Sequence, residues 1–223
     1  MSESSYGKVS TAEQVETFAP PDWEAGENHL KARKRQLRQL ILAAREALSP
    51  ADIAAKSAAI ADRLRAEPAY RTARTVMFFV SMRSEVRTEA LIREALSNGQ
   101  RVVVPVTRLE ERRLDPAELW DFDADLAPGT LGILEPKPEC FRPLAPSELD
   151  VVIMPGVAFD AQGGRTGYGM GLYDRFLKRV PRTVPRIALA YELQVVEEVP
   201  MKPYDQRVDL ILTEARRIEC TPR

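Results

Sequence analysis

The segment GGRTGYGMGLYDRFL, residues 163–177, holds five of the chain's 11 glycines and runs directly into what reads as the first turns of a helix. Glycine loses more backbone freedom on folding than any other residue, so such a cluster implies unusual dihedrals or something that must approach the main chain closely. Gly164, Gly167, Gly169 and Gly171 would let successive N–H groups line a concavity that accepts phosphate oxygens. Arg165, inside the loop, adds a planar guanidinium suited to gripping phosphate with two donors. Asp174, in the first turn of the following helix, is placed to hold a Mg²⁺ ion bridging those phosphates. The competing account is an ordinary tight connection in which the glycines serve turns and Asp174 stabilises the helix dipole. The spacing matches neither the Walker A pattern nor the dinucleotide fingerprint, but four glycines with an arginine and an acid favour phosphate.

A second group of charges lies more than a hundred residues earlier. An apolar stripe runs through Leu30, Leu37, Ile41, Ala44 and Leu48 at helical spacing, and Lys34 fills its one gap. Arg38 stands one turn further along the same face. Two adjacent cations repel unless an anion lies between them, and a lysine on a core-facing stripe loses hydration. Lys34 is thus an anion ligand or a snorkelling side chain at the edge of the core, and the helix alone does not decide between them. Lys31, Arg33 and Arg35 read as a solvated face. Two further acids flank expected strands, Glu85 just after the run TVMFFV and Asp205 just before VDLILT, and Asp160 and Asp209 lie near strands as well. Taken singly, each is more often a loop carboxylate.

The rest of the chain must position these groups. Its 223 residues, 44% hydrophobic and 29% charged, suit one soluble globular domain. A net charge of −1 gives no global attraction to nucleic acid or membrane, so anion binding needs a local site. Two cysteines and one histidine exclude a disulfide framework and a cysteine-built zinc site, and leave almost no scope for imidazole catalysis. No apolar run approaches a membrane span and no signal-peptide core opens the chain, which points to a reducing cytoplasm. Residues 1–28, polar and broken by Pro20-Pro21, read as a flexible extension. Residues 29–223 then read as a single α/β domain. Helices are expected at about 30–48, at 50–66 behind a Ser49 N-cap, at 88–97 and at about 171–179. Short Val/Ile-rich strands are expected at 75–80, 101–106, 151–155, 186–191 and 208–213. Such alternation predicts a mainly parallel sheet flanked by helices on both faces. Residues 107–150, Pro-rich and charged, are the least legible.

Four blocks now carry a resemblance: KRQLR in the first helix, VSMRSEVRT, DVVIMPGVAFDAQGGRTGYGMGLYDRFL, and YELQVVEEVPMKPYDQRVDLILT. In that order, over about residues 30–214, they resemble the 5-formyltetrahydrofolate cyclo-ligase family. The resemblance implies a single α/β domain related to the NagB/RpiA/CoA-transferase-like fold. It also implies an enzyme that uses Mg²⁺ and ATP to convert 5-formyltetrahydrofolate to 5,10-methenyltetrahydrofolate, releasing ADP and phosphate. It assigns ATP to Lys34, Arg35, Gln36, Leu37 and Arg38 and to Arg165, Thr166, Gly167, Tyr168, Gly169, Met170, Gly171, Leu172 and Tyr173, with Lys34 and Arg165 catalytic. Folate falls to Val80, Glu85 and the loop from Tyr168 to Leu172, and Mg²⁺ to Asp174 and Asp205. A monomer acting on a small molecule, without nucleic acid or membrane partners, is expected. The loop departs from the family pattern at Met170 and at Leu172, where an aromatic residue is usual. That departure is the one feature favouring the alternative of a nucleotide- or folate-binding relative that acts as a sensor or interaction module. A phosphosugar isomerase on a related fold would leave Lys34, Arg38 and the two acids unexplained.

Overall fold

The computed structural model describes residues 26–221; the expected flexible extension, apart from its last three residues, lies outside the described residues. Helix α1 spans Gly26–Glu46 and α2 spans Pro50–Ala66. Between them Ser49, in extended conformation, accepts a hydrogen bond from the Asp52 N–H, and Pro50 opens α2 as the sequence requires. Strand β1 (Thr75–Met77) follows, then α3 (Glu89–Ser97), β2 (Arg101–Arg108) and β3 (Arg113–Leu119). A small hairpin, β4 (Leu126–Pro128) with β5 (Leu134–Pro136), precedes β6 (Val151–Met154). Strands β7 (Ala158–Phe159) and β8 (Arg165–Thr166) form a second hairpin. Helix α4 (Leu172–Leu177), β9 (Arg186–Leu189), β10 (Leu210–Leu212) and β11 (Arg217–Glu219) complete the order.

Seven strands make one sheet in the order β11-β10-β9-β6-β1-β2-β3. The inner pairings, β10 with β9, β9 with β6, β6 with β1 and β1 with β2, are parallel, whereas both edge strands are antiparallel. The mainly parallel α/β domain expected from the alternating pattern is therefore observed. The inner strands are buried on both faces. Val76, Val102, Val151, Ile153, Ile187 and Leu210 enter one core layer, which Ile60 and Leu64 of α2 and Leu91 and Ile92 of α3 complete. Their neighbours Met77, Val103, Val152, Ala188 and Ile211 enter the opposite layer beneath Phe176 and Leu177 of α4. This alternation is the period-two geometry of a strand, and each fully buried aliphatic side chain contributes roughly 1.5–3 kcal/mol.

The structure corrects several boundaries. The expected strand 75–80 pairs only over Thr75–Met77, because the chain beyond Phe78 leaves the sheet to form the turn bearing Glu85. The glycine loop is shorter than its sequence suggests, since Arg165 lies in β8, paired with Phe159. β3, hidden within residues 107–150, is a seven-residue strand. Its sequence RLDPAEL carries a proline and charges, a pattern tolerated only at an edge, where one side of the strand needs no ladder partner. Ile153, fully buried at the centre of the sheet, tests the packing account. Ile153→Ala should lower stability by about 2–5 kcal/mol, read as a lower urea midpoint with an unchanged m-value.

Candidate active site

Ligands of open α/β sheets bind beyond the carboxyl ends of the parallel strands. In this chain that edge carries the turn after β1, the segment from β6 into the β7–β8 hairpin, and the chain leaving β9. Helix α1 closes over it. Leu37 and Ile41 pack against Val157, Ala158 and Val199, so the apolar stripe of α1 grips the hairpin and the 196–201 segment. The cations of the same face then meet the loop. Arg38 donates from Nε to the Gly167 carbonyl at 2.8 Å, and a Cβ on Gly169 would meet its guanidinium at 3.5 Å. Burial lowers the pKa of that guanidinium. Lys34, one turn earlier, forms an ion pair with Asp205. The KRQLR block divides here: Lys34 and Arg38 reach the loop and its flank, Leu37 belongs to the core, and Arg35 and Gln36 are exposed.

The glycines have two different jobs. Gly163 has a left-handed φ of 80° and a Cβ there would lie 2.3 Å from the Val208 carbonyl, so this position serves the turn. Gly164 also belongs to that turn. Its N–H donates to Asp160 Oδ1 at 2.8 Å, and a side chain would strike the same carboxylate. Gly164 is therefore not part of the expected cradle, and Asp160, which also receives the Val199 N–H, is a structural acid. Beyond β8 the picture changes. Among the described residues, none of the main-chain N–H groups of Gly167, Tyr168, Gly169 and Met170 donates a hydrogen bond. Gly169 takes φ 105°, a conformation that other residues avoid.

Arg165 is 4% exposed, donates from Nη2 to Asp174 Oδ1 at 3.2 Å, and has no hydrogen-bond partner for its Nε among the described residues. A buried cation with an orphaned donor fits an anion, since an unsatisfied buried N–H is costly. Asp174 also accepts the Gln206 N–H at 3.0 Å, which sets it beside the turn carrying Asp205. Among the described residues no cluster of three or more His, Cys, Asp or Glu side chains could hold a metal. Two carboxylates, each already facing a cation, do suit Mg²⁺, which commonly takes one or two carboxylates and completes its shell with water and phosphate oxygens. Tyr173 lies with its ring 5.6 Å from the Arg165 guanidinium. Leu172 packs, half-buried, against the second core layer and so anchors α4 instead of standing free as a wall of the loop. Thr166 is buried in β8, and the Met170 carbonyl accepts from Arg175.

The other end of the loop meets Glu85, which is 5% exposed. The Tyr168 hydroxyl donates to Glu85 Oε1 at 2.7 Å, and the Met82 N–H donates to Oε2 at 3.0 Å. Val80 is buried just upstream. Burial raises the Glu85 carboxyl above its ordinary value against the opposing pull of these two hydrogen bonds, Arg45 and Arg87. Burial also raises the Tyr168 phenol, which remains a protonated donor. Sequence reading missed the third member. Arg45 of α1, 1% exposed, donates from Nη2 to the Tyr168 hydroxyl at 2.7 Å and from Nε to Ser84 Oγ at 3.0 Å. The apolar pattern put Ala44 on the buried stripe. A count of cations would have found Arg45 instead, because eleven residues after Lys34 is about three turns and returns to the same face.

The chain's sequence matches the model of the 5-formyltetrahydrofolate cyclo-ligase family over residues 30–214. The 5-formyltetrahydrofolate cyclo-ligase of Escherichia coli K12 is 32% identical, with 77% of this chain and 95% of that protein aligned. The mouse enzyme of the same name is 29% identical over 83% of this chain and 95% of its own length. The solution structure of 5,10-methenyltetrahydrofolate synthetase from Aquifex aeolicus superposes with a TM-score of 0.73 at 30% identity, covering 83% of this chain and 92% of that one. A match of fold, of sequence and of motif order over nearly the whole described chain leads to one conclusion: the chain belongs to the 5-formyltetrahydrofolate cyclo-ligase family.

Proposed function

We propose that the chain converts 5-formyltetrahydrofolate to 5,10-methenyltetrahydrofolate with ATP and Mg²⁺, releasing ADP and phosphate, in a reducing cytoplasm that suits its free cysteines Cys140 and Cys220. Beyond family membership, one observation carries the reading: Arg38 and the orphaned donor of Arg165 converge on a loop whose N–H groups are open. ATP would supply the phosphoryl group that turns the poor formyl oxygen into a leaving group, so that N10 closes the ring as phosphate departs. Such chemistry asks chiefly for alignment and charge neutralisation, which explains why a chain with a single histidine suffices.

Lys34, Arg38 and Arg165 neutralise the phosphate oxygens, and the N–H groups of residues 167–170 orient them. Asp174 and Asp205 would hold Mg²⁺, which would offset the charge of the phosphates. Lys34 pairs with Asp205 and Arg165 with Asp174 in this structure, and the same carboxylates would hold Mg²⁺ while the cations would neutralise phosphate. Glu85 and Tyr168 hold the polar end of the folate, with Val80 and Met170 as apolar boundaries. Leu37, Thr166, Leu172 and Tyr173 contribute by seating the helix and the loop, and Arg35 and Gln36 border the site from the exposed face of α1.

Purified protein given 5-formyltetrahydrofolate and Mg²⁺-ATP should develop the near-ultraviolet absorbance of methenyltetrahydrofolate. A flat trace from folded protein would overturn the reading in favour of a binding module, and sugar-phosphate turnover without ATP would favour an isomerase. Arg165→Ala should cut turnover about a hundredfold, measured by the same absorbance. Asp174→Asn should shift the Mg²⁺ titration to higher concentration while the circular dichroism stays unchanged. Glu85→Gln should lower turnover by about ten- to hundredfold, the worth of a hydrogen bond to a charged group. Its stability should move the other way. The raised folded-state pKa means the folded chain binds that proton more tightly than the unfolded chain, so the wild type loses stability as pH rises from 4.5 through the raised value. Thermal melts of Glu85→Gln should therefore match the wild type at acid pH and exceed it at neutral pH.

A further inference from the structure

Helix α1 touches the glycine loop twice. Arg38 holds the Gly167 carbonyl, and Arg45 holds the hydroxyl of the next residue, Tyr168. The two arginines stand seven residues, about 10 Å, apart on one helix face. The second contact extends further, from Arg45 through the Tyr168 hydroxyl to Glu85, with Ser84 bracing the guanidinium. Tyr168 is 37% exposed although its hydroxyl is tied inward, and the Arg45 guanidinium lies 5.8 Å from the ring centroid. Among the described residues Arg45 is the largest fully buried side chain. A guanidinium removed from water to this extent is expensive unless its donors are matched, and packing alone would be served better by an apolar residue.

Resting on the function proposed above, we propose that Arg45 is a positioning residue for the folate half of the reaction: acting through Tyr168, it fixes the Glu85 carboxylate in register with the nucleotide half held by Lys34 and Arg38. Helix α1 thereby serves as a rigid spacer between the two substrates. Arg45 does not touch folate. It sets where the Tyr168 hydroxyl sits, and Tyr168 sets which oxygen of Glu85 faces the ligand. The other charged and titratable groups around Glu85 are Arg87, which is exposed, Tyr191, whose hydroxyl donates to the Glu85 carbonyl at 3.0 Å, and Tyr173, whose phenol is raised by burial and by the Glu85 charge.

A double-mutant cycle on the full chain with Arg45→Met and Tyr168→Phe tests this, with KM determined separately for 5-formyltetrahydrofolate and for Mg²⁺-ATP and with thermal melts as the control for folding. Each single variant should raise the folate KM by about ten- to hundredfold, while the nucleotide KM changes by less than about threefold. The double variant should be little worse than Arg45→Met, because the arginine acts through the tyrosine. Effects that multiply in the double variant, a nucleotide KM that rises in parallel, or an unchanged folate KM in Arg45→Met would overturn the proposal. If Arg45→Met does not fold, Arg45→Lys runs the same cycle with the charge kept and the two-donor fork lost, and is held to the same criteria. Absence of turnover by folded wild-type protein sinks the underlying reading and this proposal with it, whereas a normal wild type with multiplicative variants sinks this proposal alone.

Discussion

The contact between Arg38 and the Gly167 carbonyl joins segments 129 residues apart, and the arrangement of the site depends on it. Helix α1 is not part of the sheet. It is held by a modest apolar cluster around Leu37 and Ile41 and by what its cationic face can find on the loop. The loop, for its part, exposes carbonyl and N–H groups that no regular element satisfies. Each side thus supplies what the other lacks, and the cleft exists because a helix with buried positive charge and a strand-to-helix connection with unpaired main chain are brought into contact. The sheet below provides the rigidity. Its inner strands are dry on both faces, so the loops at its carboxyl edge start from fixed points.

Electrostatics within the cleft follow from this arrangement. The four cations that face the loop each meet a carboxylate, a carbonyl or a hydroxyl: Lys34 with Asp205, Arg165 with Asp174, Arg38 with Gly167, Arg45 with Tyr168 and so with Glu85. Charge is nearly balanced, four cations facing three carboxylates, so a pair that is separated needs a new counter-charge for each partner at once. At the buried Glu85 end the carboxyl is pushed above its ordinary value.

The sequence was most informative where periodicity and end signals agree. The α2 helix could be read from Ser49, Pro50 and the stop before Pro68, and the inner strands from their unbroken Val/Ile runs. The family resemblance rested on four motif blocks, and the matches bear it out. Strand β3 was illegible because an edge strand needs neither continuous apolar residues nor freedom from proline. Composition could not divide the five glycines, since nothing local shows that Val208 and Asp160 crowd the first two. Arg45 was hidden by a different rule: apolar patterning assumes that buried positions are apolar, and a paired guanidinium breaks that assumption. These misses share a cause, which is that long-range contacts decide them.

Arg165 sits in a strand. Its backbone is laddered to Phe159, which is itself locked in the core, whereas the loop residues after Thr166 belong to no strand and are tethered through side chains, by Arg38 and Arg45 of α1, by Glu85 and by Arg175. The guanidinium is therefore mechanically insulated from drift in the loop that follows it. Side chains between residues 168 and 170 could be exchanged, reshaping what the rim accepts, without re-laying the cation beneath. Met170, half-buried at that rim, can therefore change its side chain while the guanidinium stays where the strand holds it.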